Sequence, residues 1–213
     1  MTQLHRSNPF STRFVRPGAI PYFFEEGQSA PEIVSRLADH RWRGEIIGPH
    51  GSGKSTLVWA LLPEIAAAGR EPLRYSFHDG RVTLPGFNRH ELELHSQAVL
   101  ILDGYEQLGI WHRLRVRRAC RQTGCGLLVT AHAPVGLPEL YRTRVTPESA
   151  MRVVSHLICQ PMTSASKAVL AAALAARRGN LREALFDLYD SYERISPELR
   201  RIGGVKVVTS HPE

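Results

Sequence analysis

Apolar residues run in short unbroken stretches through the middle of this chain and at helical spacing towards its ends. Glu45-Ile46-Ile47 predicts a short strand that enters a glycine-rich turn. Ala98 to Leu102 is apolar throughout and Gly126 to Thr130 nearly so, as strands are when helices cover both faces of their sheet. Leu73 to Phe77 predicts a further strand. Helices are expected over Pro31 to Asp39, Ser55 to Ala68 and Glu106 to Arg121; Pro63 should bend the second and Gly69 should stop it. From 146 to 196 the pattern is helical only. The order strand, turn, helix, strand, strand, helix, strand is that of an α/β fold, a parallel sheet with flanking helices.

The turn after the first strand carries chemistry. Gly48-Pro49-His50-Gly51-Ser52-Gly53-Lys54-Ser55 fits G-x-x-x-x-G-K-[ST] throughout, with Thr56 continuing into the helix. Its glycines allow consecutive backbone N–H groups to point inward as an anion nest, and the helix behind adds its positive end. Lys54 supplies a mobile charge for the β- and γ-phosphates, and the Ser55 hydroxyl is a hard ligand for Mg²⁺. The expected ligand is a nucleoside triphosphate, ATP with Mg²⁺, on a P-loop NTPase sheet.

Asp103 ends the most apolar strand, where a carboxylate can hold the Mg²⁺ hydration shell; it is also half of an Asp-Gly turn pair. Glu106 is the next carboxylate able to activate water, and it suits the first turn of a helix equally well. Thr130 ends the following strand, beside the place where a γ-phosphate sits in an open parallel sheet, and His132 follows closely. The plainer alternative for Thr130 is a strand-end residue with a satisfied hydroxyl.

Composition narrows the class. Twenty-seven Lys and Arg against twenty Asp and Glu give a net charge of +7, which favours polyanionic partners: nucleotides and, as a second option, nucleic acid. Arg113, Arg115, Arg117, Arg118 and Arg121 crowd one expected helix as a solvated face, an arginine finger or a phosphate-contacting surface. No stretch approaches the roughly eighteen apolar residues of a membrane span. The N-terminus lacks a secretory pattern, and Pro9, Pro17 and Pro21 would break the amphipathic helix of an organellar presequence, so a cytoplasmic protein is expected. Cys120, Cys125 and Cys159 form neither a disulfide framework nor a metal motif.

Together the loop, the Asp103 strand and the Thr130 strand resemble AAA+ ATPases, in the division with an additional strand between the two Walker motifs. Asn8-Pro9-Phe10 with Tyr22-Phe23-Phe24 is similar to the N-terminal segment of bacterial ATPases of secretion and transposition, where it helps to enclose the adenine. Gly179-Asn180-Leu181-Arg182 looks like the sensor 2 motif of an AAA+ lid, which implies that Arg182 reaches the γ-phosphate. In two respects the chain departs from that pattern: Gly104 stands where the family has a second acid, and no arginine-finger motif is evident. The expected organisation is an N-terminal segment (1–43), a nucleotide-binding core (44–145), a helical lid (146–196) and a flexible tail (197–213).

The leading expectation is a small ATPase or ATP-dependent switch acting on a protein or nucleic-acid partner, with oligomerisation left open. A small-molecule kinase is the alternative, its acceptor held by His78 to Gln97 and its phosphates closed over by Arg142 and Arg144. A nucleotide-binding module without hydrolysis is the third. An ABC transporter subunit is rejected, because no LSGGQ-like signature is present.

Overall fold

The computed structural model describes residues 8–77 and 94–202, with side chains described as far as residue 194. A short helix α1 (Thr12–Val15) is followed by α2 (Ala30–Asp39), β1 (Arg43–Ile47), α3 (Lys54–Ala67), β2 (Glu71–Ser76) and β3 (Ala98–Asp103). A 3₁₀ turn at Tyr105–Gln107 leads to α4 (Ile110–Thr123), β4 (Gly126–Ala131) and β5 (Glu139–Arg142). Three helices complete the chain: α5 (Pro147–Ile158), α6 (Ser164–Ala176) and α7 (Leu181–Ile202).

The five strands form one sheet in the order β2-β3-β4-β1-β5, and every pairing is parallel. β4 therefore lies between the strand that feeds the phosphate loop and the strand that ends in Asp103. Successive side chains of β3 point to opposite faces. Leu100 and Leu102 pack with Val116 and Cys120 of α4, while Val99 and Ile101 pack with Leu57, Leu61 and Ile65 of α3. Burial on both faces is why β3 reads as an unbroken apolar run. Each such fully buried aliphatic side chain contributes about 1.5–3 kcal/mol to the fold.

A separate apolar cluster joins α5, α6 and α7 through Val154, Leu170, Leu185 and Leu188, and Phe10 belongs to it. Asn8 fastens the N-terminal stretch to the same helices: its side-chain amide donates to the Tyr189 carbonyl (3.0 Å) and to Glu193 Oε1 (2.9 Å). The chain thus passes from α7's flank across to the sheet.

Element ends differ from the sequence expectation by a residue or two in most places, and by more in a few. α3 starts one residue earlier, at Lys54, and continues through Pro63. α4 starts at Ile110, because Gly104 in a left-handed conformation (φ 93°) opens a 3₁₀ turn that Leu108 ends in extended backbone. β5, at the sheet edge beside β1, is an added strand. α7 runs to Ile202, past residue 196. Residues 78–93 and 203–213 lie outside the described ones, and with them most of the expected kinase acceptor stretch and most of the expected tail.

Candidate nucleotide-binding site

A cavity of about 560 Å³ opens beyond the carboxyl ends of the strands, where ligands gather in parallel sheets. His50, Gly51, Ser52, Gly53, Lys54, Ser55 and Thr56 line it. Gly48 and Pro49 stand behind, and their carbonyl oxygens accept hydrogen bonds from Lys54 Nζ at 2.6 and 2.8 Å. The loop is braced from β5's exit: the Ser52 and Thr143 hydroxyls are 2.6 Å apart, and Thr143 N donates to the Ile47 carbonyl at 2.7 Å. Burial lowers the pKa of Lys54, while the nearby Glu106 and Asp103 carboxylates oppose that shift. His50 is also lowered, by burial first and then by His132 and Lys54.

Asp103 is buried at the end of β3 with both oxygens engaged. Thr130 Oγ1 donates to Asp103 Oδ1 at 2.7 Å and accepts from the Gly104 N–H at 2.8 Å. Asp103 Oδ2 accepts from Arg74 Nη2 at 3.2 Å, with the Ser76 hydroxyl 3.5 Å away. This Arg74 guanidinium also lies 5.0 Å from the centroid of the Trp59 ring and touches Ser76. Sequence reasoning did not single out Arg74, because only the register that pairs Ser76 with Asp103 reveals which β2 residues reach the acid.

Glu106 turns back to the cavity through the 3₁₀ turn. A side chain at Gly104 would lie 2.8 Å from the Phe77 carbonyl, so the positive φ and the crowding both require glycine there. Glu106 Oε1 pairs with His132 Nε2 at 2.7 Å, and Oε2 is buried without a hydrogen-bond partner among the described residues. His132 Nδ1 lies 3.2 Å from Lys54 Nζ and 3.1 Å from the Gly48 carbonyl, and its ring lies against that of His50, centroids 3.7 Å apart and planes tilted by 37°. Nδ1 accepts from Lys54 or donates to the Gly48 carbonyl according to the tautomer of the ring. The result is a continuous polar chain from Glu106 through His132 to the loop lysine. No sequence pattern joins three residues so far apart.

Two further walls come from the chain ends. Tyr22 and Phe23 line the cavity, with the Tyr22 ring edge-on to Phe24 at 4.9 Å and to Tyr141 at 6.0 Å. Burial, helped by the Tyr141 hydrogen bond, pushes the Tyr22 phenol well up. Asn8 and Phe10 do not line the cavity; they are engaged with α7 instead. Arg182 lines it from the start of α7, and the turn before α7 abuts the loop. A Cβ on Gly51 (φ 68°) would lie 1.8 Å from Asn180 Oδ1 and 3.2 Å from the Arg182 amide nitrogen. Arg144 reaches the rim paired with Glu25 at 2.8 Å, which lowers the Glu25 pKa, whereas Arg142 pairs with Glu139 away from the cavity.

No protein-family model and no curated protein sequence matches the chain. Among solved structures it is similar to NtrX from Brucella abortus in complex with ATP, with a TM-score of 0.53 and 15% identity, over 78% of this chain and 49% of that one. NtrX in complex with ADP aligns with a TM-score of 0.47 and 14% identity, over 78% of this chain and 50% of that one. The chain spans about half the length of the NtrX chains it matches. At that identity the likeness is one of architecture: this chain has the P-loop NTPase fold, a parallel α/β sheet flanked by helices.

Proposed function

We propose that this protein binds ATP with Mg²⁺ on the loop from Gly48 to Thr56 and works as a small AAA+-like ATPase or ATP-dependent switch. One observation carries the reading. One cavity is bounded by the phosphate loop, by Asp103 and Thr130 at strand ends, by Glu106 of the 3₁₀ turn, by the aromatic pair Tyr22 and Phe23, and by Arg182. Loop and strand ends suit phosphates, the aromatic wall suits a base, and an arginine from another element suits a terminal phosphate.

The additional-strand division fits the position of β4 between β1 and β3. Ser55 and Asp103 offer the hard oxygen donors that Mg²⁺ takes, and both line the cavity. Bound there with nucleotide, the ion would neutralise phosphate charge. Thr130 holds Asp103 and His132 holds Glu106, which supports a reading in which Glu106 takes a proton from water. The helices α5 to α7 serve as the lid. The kinase alternative would call on Arg142 and Arg144, which here pair with Glu139 and Glu25 at the surface. A NtrX structure in complex with ATP adds a nucleotide-bound example of the fold.

Titration of a fluorescent ATP analogue with Mg²⁺ tests this. Lys54→Ala should weaken binding by about 1.5–3 kcal/mol, the scale of a hydrogen bond to a charged group. Unchanged affinity would show that the loop does not hold phosphate.

A further inference from the structure

The outer face of α4 has no place in the nucleotide site. Three of the seven large apolar side chains exposed among the described residues fall within five positions of this helix: Ile110 at 63%, Trp111 at 76% and Leu114 at 51%. Arg115, Arg118 and Arg121 continue the same side of the helix and are exposed, and Leu114, Arg118 and Arg121 share a shallow depression. α4 contains five arginines and no acid, and its first turn has no side-chain cap. The five arginines do not act alike. Arg113 donates to the Glu106 and Leu108 carbonyls (2.6 and 2.7 Å), and Arg117 donates to the Tyr105 hydroxyl (3.2 Å) and to the Val135 carbonyl. Both are internal braces, and Arg115, Arg118 and Arg121 are the three that face outward.

We infer that this face docks an acidic, amphipathic segment of a partner protein. Aspartate or glutamate side chains would meet Arg115, Arg118 and Arg121, while an apolar side chain would cover Trp111 and Leu114. A nucleic-acid backbone suits the face less well, because Ile110 and Leu114 offer nothing to phosphate. A second copy of this chain suits it less well too, because it would bring together two arginine-rich faces that lack any acid, in a molecule whose net charge is already +7. An exposed tryptophan flanked by arginines is the composition found where interface energy concentrates. Through Arg113, the first turn of α4 and the Glu106 turn are hydrogen-bonded together, so the docked segment would press on an element that borders the cavity.

The test uses the full chain and three labelled probes in fluorescence anisotropy, at low and at moderate salt. They are a helical peptide with glutamates on one face and leucines on the other, a scrambled peptide of the same composition, and a 20-nucleotide single-stranded DNA. The expected result is that the amphipathic peptide binds about tenfold or more tightly than the scrambled one. Trp111→Ser should remove that margin, and Arg115→Glu with Arg118→Glu should remove binding of both peptides. These positions are solvent-exposed, and unchanged thermal melting and nucleotide titration of each variant would show the fold and the nucleotide site intact. Equal binding of both peptides, tighter binding of the DNA, or no peptide binding at low salt would each overturn the proposal. None of these outcomes depends on whether the loop holds ATP.

Discussion

Asp103 is 4% exposed and held between a hydroxyl and a guanidinium, so its charge is already compensated inside the protein. Removing the guanidinium, whose side chain is 22% exposed, leaves Asp103 its Thr130 hydrogen bond and costs about 1–3 kcal/mol, the scale of an unmade hydrogen bond to a buried group. Arg74→Gln should therefore lower stability by that amount in the absence of divalent ions, and Mg²⁺ should restore part of it by neutralising Asp103. Thermal melts with and without Mg²⁺ check this; a variant whose melting responds to Mg²⁺ no more than the wild type would show that Asp103 does not meet the ion. A second residue decides whether the protein is an enzyme. Glu106→Gln should keep nucleotide affinity and lower turnover by roughly 10²-fold, the scale of a lost general base. Steady-state phosphate release is the measurement, and wild-type turnover in the variant would place the base elsewhere. The loop, Asp103 and Thr130 were legible in the sequence because local pattern specifies them. Arg74 and the Glu106–His132 pair were not. Arg74 meets Asp103 only through the register of β2 on β3, and Glu106 meets His132 only because the turn after β3 and the exit of β4 lie side by side.

At the scale of elements, β3 and β4 were readable because burial on both faces leaves a continuous apolar signature, while β5 was hidden by its brevity and by the exposed Glu139 and Arg142 at its ends. The expected helix over Glu106 to Arg121 merged two elements, since the apolar spacing continues across the break that Gly104 and Gly109 impose. What no local pattern could show is the approach of the α6–α7 turn to the phosphate loop. Gly51 is the point of contact, and any Cβ there collides with Asn180 in a backbone conformation that costs an L-residue about 1–2 kcal/mol. Gly51→Ala should push that turn away from the loop. Hydrogen exchange would show this as lost protection at the start of α7, at and after Ala184, with β3 and β4 unaffected. Protection retained along α7 would mean that the turn does not depend on the loop for its position.

For the whole molecule, the cavity draws its walls from the sheet, from the N-terminal stretch that Asn8 and Phe10 tie to α7, and from α7 itself. A ligand filling it would bind the folded arrangement of all three and none of the unfolded chain. At a nucleotide concentration about a hundred times Kd, linkage adds about 2.7 kcal/mol of stability. In a chain of this size that raises Tm by roughly 5–10 °C, at about 2–4 °C per kcal/mol. On the proposed reading ATP should exceed ADP at matched concentrations, because Arg182 meets a group that only ATP carries. Arg182→Ala should then erase most of the difference between the two nucleotides while leaving a common shift from the loop contacts. Scanning calorimetry of the wild type and the variant, each with ATP or ADP and Mg²⁺, measures both quantities. Equal shifts with ATP and ADP in the wild type would reduce Arg182 to a bystander at the rim. If the variant kept the ATP advantage, discrimination would belong to the loop side, to Lys54 with Mg²⁺, and α7 would border the site without reading the nucleotide.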